Sequence, residues 1–226
     1  MAVVYRRPAG VMRQSVKPQL ASSDRAAHPS QVKLGRFLAH VDAIAGPVLA
    51  TVSGRVAAEL IVGFSDGACL IEGGHDLGNY LFPVAQRLGP ERVAAIFGRK
   101  ICGPSSLAVG PAQPDAAGAS PQFSTRMTGS YERREWKQRL HDRLAVQAAT
   151  LGPGPAGLKI ALTTGPARNW ASLWKPLIDA FGPVLGEDPA WPSRPHGDRI
   201  VSLGLHHTID TGLACDVIID AWWTSL

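Results

Sequence analysis

Two stretches of the chain decide the fold prediction: Pro83-Val84-Ala85-Gln86-Arg87-Leu88-Gly89-Pro90 and Pro176-Leu177-Ile178-Asp179-Ala180-Phe181-Gly182-Pro183. Each begins with proline, continues with helical apolar spacing and ends at Gly-Pro, a typical helix stop. An acid-Arg-aliphatic triplet follows each stretch: Glu91-Arg92-Val93 in the first case and Asp198-Arg199-Ile200 in the second. The agreement predicts that the chain contains two diverged copies of one structural unit.

The elements around these stretches repeat in the same order. In the first copy, a helix over 31–45 ends at Gly46-Pro47, a strand covers Val56–Phe64 and a helix covers Leu77–Leu88. In the second copy, apolar spacing predicts helices over 131–151 and 173–181 and strands over 158–163, 199–206 and 216–222. The order predicts an α/β fold of the α+β type, with a mixed sheet and two tandem units.

Composition divides the chain into four segments. Residues 1–30 are rich in Ser, Pro, Arg and Ala and predict a flexible basic arm. The first unit is predicted at 31–102 and the second at 126–226. Between them, the Pro/Gly/Ser/Ala-rich stretch 103–125 predicts a linker.

Overall charge is compatible with a polyanionic partner. The formal net charge is +5, with a pI near 9.4, and basic residues concentrate in the first 36 residues and again over 126–143. A basic patch of this kind suits nucleic acid, although a solvated surface gives the same pattern. The three separated cysteines predict no disulfide framework and favour a reducing, cytoplasmic setting. Neither a secretory signal nor a membrane partner is expected.

The motif that could carry chemistry begins just before the helix that ends at Gly-Pro in each copy. In the first copy it reads His75-Asp76-Leu77-Gly78-Asn79, and in the second copy Lys175, Asp179-Ala180 and Asp198 follow Asn169. This pattern resembles the signature of RusA-like Holliday junction resolvases. That signature has Asp-x-Asp-Asn at a helix start, a Lys three residues on, an Asp-Ala, and another Asp before the next strand. The resemblance covers most of residues 31–223 and implies two units related as in a dimer, here fused into one chain as a pseudo-dimer.

The resemblance also implies metal-dependent chemistry. Clustered carboxylates would bind Mg²⁺, which activates water and neutralises charge on the scissile phosphate. A lysine would add positive charge near the transition state. On this pattern the catalytic candidates are Asp76, Glu91, Lys175 and Asp198, and the metal ligands among them are Asp76, Glu91 and Asp198.

Each copy departs from the signature in a different part of the motif. Gly78 replaces the second Asp and Phe82 the Lys in the first copy, whereas Asn169 and Ala171 replace both Asp residues in the second. Three functions follow. The preferred one is a nucleic-acid-binding protein with weakened or lost nuclease activity; the alternatives are a Mg²⁺-dependent endonuclease with one residual site, built on Asp76 and Glu91, and a non-catalytic scaffold that binds a protein partner.

For the preferred function, the partner is branched or duplex DNA, with a role in recombination or repair. The chain would act as a monomeric pseudo-dimer or as a homodimer. The residues expected to contact nucleic acid are Arg133, Arg134, Lys137, Lys175 and Trp170. Two simpler roles compete with these assignments. Asp76 has the residue type and position of a helix N-cap, and His206 and His207, on one strand, point to opposite sides.

Overall fold

The structure is a computed structural model that describes residues 3–10, 12–21, 24–25, 27–65, 68–71, 73–116, 119–188 and 191–226. It is a mixed α+β fold. Within the described residues the main sheet has eight strands, in the order β1-β4-β2-β3-β9-β6-β10-β5. Its strands are β1 Met12–Arg13, β2 Val56–Phe64, β3 Val93–Cys102, β4 Ser106–Pro111, β5 Phe123–Met127, β6 Ala156–Thr164, β9 Ile200–Ile209 and β10 Val217–Ser225. A separate hairpin pairs β7 Glu187–Asp188 with β8 Trp191–Pro195.

The helices lie between the strands along the chain. They are α1 Pro29–Thr51, α2 Leu77–Leu88, α3 Arg134–Gln147, α4 Trp174–Ala180 and α5 Gly182–Leu185, with a 3-10 turn at Trp170–Leu173 leading into α4. Their buried side chains form one hydrophobic core with the strand residues that point toward them. On the opposite face of the sheet, Ala57, Ala95 and Phe97 form a second, smaller cluster that Tyr5 and Ala112 partly cover.

The strand pairing is arranged in two similar sets of three. β2 pairs in parallel with β3 and antiparallel with β4, and β6 pairs in parallel with β9 and antiparallel with β10. The sets meet where β3 and β9 run antiparallel, with Gly98 opposite Leu203. Both parallel pairs shift register after their first residue, between Val56 and Ala57 and between Ala156 and Gly157.

The two triplet arginines hold equivalent loops in place. The Arg92 guanidinium donates to the carbonyl oxygens of Leu49 and Val52, 3.1 and 2.9 Å away, just before β2. The Arg199 guanidinium donates to the carbonyl oxygen of Gly154 at 2.8 Å, just before β6, and also to that of Gly152. Arg92, which precedes β3, therefore fixes the chain at the start of β2, and Arg199, which precedes β9, fixes the chain at the start of β6.

Helix α1 does not stop at Gly46-Pro47, as predicted, but continues to Thr51. The Val52 N–H group bonds to the Val48 carbonyl oxygen at 3.1 Å, so the last turn closes despite the missing proline N–H. Arg92 satisfies two further carbonyls at the end of this helix, those of Leu49 and Val52. Tertiary contacts thus overcome the local stop signal.

The predicted linker and arm are also more ordered than expected. Residues 103–125 contain β4 and the start of β5, so the continuous linker prediction is wrong. In the arm, Tyr5 bridges to Pro114, β1 pairs with β4, and the Arg7 guanidinium binds the buried Glu59 carboxylate. Several of these contacts join residues about a hundred or more positions apart; for example, the Tyr5 N–H group donates to His206 Nδ1 at 3.1 Å. Local periodicity carries no signal for such distant partners.

Candidate nucleic-acid interface

The N-terminus of α2 presents Asp76 to a cavity. Gly73 and Gly74 have φ angles of 81° and 70°, which allow the turn that precedes the helix. Asp76 is the N-cap: its Oδ1 accepts a hydrogen bond from the Gly78 N–H group at 2.8 Å. The capping role expected as an alternative is confirmed. It engages one carboxylate oxygen and leaves Oδ2 turned toward Gly197, where an added Cβ would lie 3.8 Å away.

The segment predicted as the second copy has the same cap without its charge. Asn169 is the N-cap of the 3-10 turn before α4, and its Oδ1 accepts from the Ala171 N–H group at 3.1 Å. An asparagine preserves the capping hydrogen bond but cannot supply a carboxylate. Only the first copy therefore presents an acid at this position.

A cavity of about 390 Å³ joins motif residues from the two copies. Asp76 and Asn79 come from the first copy, whereas Lys175, Asp179 and Asp198 come from the second. An adjoining cavity of about 320 Å³ shares Asp76, Asn79 and Lys175 and adds Phe82 and Ser172. We call the two together the composite cleft. It brings Asp76 and Asn79 together with the lysine and the two aspartates of the other half of the chain.

Burial sets the protonation behaviour of Asp76. Loss of solvent raises the pKa of this carboxyl above its usual value, and the hydrogen bond from Gly78 only partly opposes that effect. Lys175 and Lys100 favour the charged form, whereas Asp179 disfavours it. A shifted carboxyl in a polar cleft is a common property of functional sites.

Lys100 is a cleft-side residue that the sequence analysis missed. It is 4% exposed, on β3, and its Nζ donates to the carbonyl oxygens of Leu70 at 3.0 Å and of Asp198 at 2.6 Å. Burial lowers the pKa of Lys100 to about 8, against the opposing attraction of Asp198 and Asp76. It lies in a strand of apolar and small residues, so no sequence pattern marked it.

We call Arg133, Arg134, Lys137 and Lys175 the basic rim; among them, Lys175 lines the composite cleft. Lys175 Nζ lies 3.4 Å from Asp179 Oδ1, and Lys137 Nζ lies 3.5 Å from Asp179 Oδ2. The Lys175 side chain is 70% exposed. Arg133 and Arg134 are exposed at the start of α3, the helix that carries Lys137. Four of the five predicted nucleic acid contacts therefore lie on α3 or α4, the two packed helices beside the cleft.

Trp170, the fifth predicted contact, is instead a core residue. It is 1% exposed, stacks on His207 at a centroid distance of 4.8 Å and donates its Nε1–H to the Pro90 carbonyl oxygen at 2.8 Å. A ring held in this way cannot stack on a nucleobase. The 3-10 turn buries it, which its loop-like sequence context did not indicate.

Glu91 is far from Asp76, so these two carboxylates do not form the expected metal pair. Asp76 begins α2, whereas the Glu91 side chain folds back over Gly89, the residue that ends α2. Twelve helical residues separate these ends, a length of about 18 Å. The acids that share the cleft with Asp76 are Asp179, which pairs with Lys137 and Lys175, and Asp198.

The donor set for Mg²⁺ is limited. Carboxylate oxygens are the ligands that this ion prefers, and Asp76 and Asp198 supply them in the cleft. Within the described residues, no group of three His, Cys, Asp or Glu side chains is placed to hold a metal ion. Oxygens of a bound phosphate would have to complete the coordination.

His206 and His207 lie back to back on β9. The His207 ring packs on Trp170 on the helical side, and the His206 ring packs against Phe97 on the opposite side. The expectation that they point to opposite faces is confirmed. Both are buried, at 0% exposure for His206 and 3% for His207, so neither histidine lies at the surface.

Comparisons with protein-family models, with curated proteins and with solved structures found no match. Among the described residues, no helix is long and apolar enough to cross a membrane.

Proposed function

We propose that this protein binds nucleic acid through the composite cleft and its basic rim. The carrying observation is the convergence of Asp76 and Asn79 from one copy with Lys175 and Asp198 from the other in a single cavity. In the RusA-like signature these are four of the recognisable positions. The proposal explains why each copy alone looks incomplete, because complementary parts of the signature survive in different halves.

We further propose that the chain is a fused, diverged pair of RusA-like units. The support is topological and local. The sets β4-β2-β3 and β10-β6-β9 pair in the same way about the β3–β9 contact. They share the register shift, the arginine clamp and the side-chain cap, which Asp76 and Asn169 make with the N–H group two residues on.

The second cleft that such a pair would once have had is filled. Trp170 follows the neutral cap Asn169 and bonds to Pro90, next to Glu91. Glu91 is the counterpart of Asp198 in the triplets, and Phe82 stands where Lys175 stands in the other copy. Loss of one site suits a protein that binds branched or duplex DNA with weakened or lost cleavage. A monomeric pseudo-dimer is the simplest assembly.

A gel shift with a labelled four-way junction and a linear duplex, each at low and physiological salt, tests binding. Counterion release predicts affinity that falls steeply with salt. No binding to either DNA at low salt would rule the proposal out and favour the partner-binding scaffold.

A residual Mg²⁺-dependent endonuclease is the second candidate, because Asp76, Asp198 and Lys175 share the composite cleft, where the third acid, Asp179, pairs with Lys137 and Lys175. Asp76 and Asp198 would hold the ion, which would supply an activated water and neutralise phosphate charge. Cleavage of the junction that requires Mg²⁺ and is lost in both Asp76→Asn and Asp198→Asn would establish it. Cleavage that survives either change would exclude this site.

A further inference from the structure

The sheet face opposite the helices carries an ordered row of side chains. Hydrogen-bonded register places Phe97, Gly204, Lys159 and Trp222 side by side on β3, β9, β6 and β10. Lys159 Nζ lies 4.4 Å from the centre of the Trp222 ring, and the Arg7 guanidinium lies 5.2 Å from the centre of the Phe97 ring. Phe97 and Lys159 therefore flank the glycine, and Trp222 lies one strand beyond Lys159.

Gly204 leaves a gap in this row. A Cβ added there would lie 3.4 Å from His206 Nε2 and 3.4 Å from the Phe97 ring. Glycine inside a strand often marks a place where another molecule approaches closely. Here it leaves space directly above the imidazole edge of His206.

His206 turns a hydrogen-bond donor toward that space. Its Nδ1 accepts from the Tyr5 N–H group at 3.1 Å, so the neutral ring carries its proton on Nε2. Nε2 is buried and has no hydrogen-bond partner among the described residues. Burial lowers the pKa of His206 to about 3, so the ring is neutral at physiological pH. Buried donors without a partner are rare, and a ligand acceptor would satisfy this one.

A groove of about 560 Å³ lies over the row. Its lining includes Arg6, Phe97, Lys159, Gly204, His206 and Trp222. Asp115 offsets part of the positive charge, with its Oδ1 3.6 Å from Arg6 Nε. The groove thus combines flat aromatic walls, cationic groups and one neutral buried donor.

We propose that this groove binds a planar aromatic anion. The flat ring of the ligand lies above Gly204 beside Phe97, an acceptor atom takes the His206 Nε2–H, and the anionic group pairs with Lys159, the next residue in the row. Nucleotides and free aromatic carboxylates share this chemistry. The site lies on the sheet face opposite the composite cleft and does not depend on the proposed function.

Calorimetric titration of the full chain with adenosine 5′-monophosphate and, separately, with indole-3-carboxylate tests the proposal. We expect saturable binding of at least one probe, and the tighter probe identifies the source class. Gly204→Ala should weaken binding at least tenfold, because its methyl group fills the gap, and Lys159→Met should weaken it by losing the charge. Gly204→Ala should fold, since its new contacts are at ordinary van der Waals distance.

Gly110→Ala is the matched control. It makes the same change in β4 of the same sheet, where the added Cβ meets Pro8 at 3.6 Å. It should leave probe binding unchanged, as should Lys175→Gln in the composite cleft. Absence of saturable binding by both probes would overturn the proposal, as would binding that Gly204→Ala leaves intact.

Discussion

Asp76 and Asp198 line one cavity although they lie 122 positions apart in the sequence. The antiparallel contact between β3 and β9 places the two halves of the sheet side by side. As a result, the Asp76 cap in the N-terminal half faces Gly197 and Asp198 in the C-terminal half. The composite cleft therefore depends on both halves of the chain.

The first prediction concerns Asp76 and pH. Because the folded pKa of Asp76 is raised, the folded state holds its proton more tightly than the unfolded state does. Its contribution to stability is full below the unfolded value of 3.8 and is lost as pH rises through the folded pKa. An Asp76→Asn variant keeps the capping hydrogen bond, as Asn169 makes it in the other half of the chain, and it has no carboxyl to lose its proton. The variant therefore should not lose stability through this group as pH rises.

Urea unfolding at a series of pH values from below 3.8 up to neutrality checks this expectation. The unfolding free energy of Asp76→Asn relative to wild type should increase with pH. Asp76→Ala, which also loses the cap, should be about 1 kcal/mol less stable than Asp76→Asn. A difference between wild type and Asp76→Asn that does not change with pH would contradict the burial argument.

The second prediction concerns Lys100. Its folded pKa, about 8, lies below the unfolded value of 10.5, so between these values the unfolded state binds more protons and stability rises with pH. Lysine-specific ¹³C NMR should show one lysine titrating near 8, absent in Lys100→Met. Asp76→Asn should lower that midpoint further, because Asp76 favours the charged ammonium. A midpoint near 10.5 for every lysine would contradict it.

The third prediction concerns the two arginine clamps. Arg92→Ala and Arg199→Ala each remove hydrogen bonds from a guanidinium to loop carbonyl oxygens, so each should lower the unfolding free energy by about 2 kcal/mol. Lysine should restore little, since it lacks the planar fork. Arg134→Ala, an exposed control on α3, should change stability by less than about 0.5 kcal/mol. Equal effects of the three alanine variants would refute the clamp.

The fourth prediction separates Trp170 from the basic rim. Trp170→Phe loses the hydrogen bond to Pro90 and part of the stacking on His207. It should cost about 1–3 kcal/mol of stability, measured by thermal unfolding, and leave DNA affinity unchanged below the melting temperature. Selective loss of DNA binding by a stably folded Trp170→Phe would restore this residue as a nucleic acid contact.

Sequence patterns predicted the strongly punctuated elements well. The bounds of Val56–Phe64 and Leu77–Leu88 are confirmed, because turn residues frame one and a capping Asp and a Gly-Pro stop frame the other. The patterns failed where distant partners decide the outcome. Gly46-Pro47 stays helical in α1, whose C-terminal end Arg92 holds by hydrogen bonds. Residues 103–125 form β4 and the start of β5 because β2 and β10 supply their hydrogen-bond partners.

The candidate site was predictable by residue but not by grouping. The motif identifies Asp76, Lys175 and Asp198 as candidates. It pairs Asp76 with Glu91 in one metal site, because both belong to the first predicted copy. Only the pairing of β3 with β9 brings Asp198 to the cleft. Lys100 lies on a strand and belongs to no motif, and its hydrogen bonds to the carbonyl oxygens of Leu70 and Asp198 depend on tertiary contacts that the sequence does not reveal.

Salt-dependent binding of a labelled four-way junction, measured by fluorescence anisotropy, tests the central claim most directly. Wild type should bind with a steep negative slope of log affinity against log salt, and Lys175→Gln should weaken binding and reduce that slope by about 1. Lys33→Gln, an exposed lysine on α1 outside the lining of the composite cleft, is the control and should match wild type. Equal affinities and slopes for all three proteins, or no binding at low salt, would contradict the account.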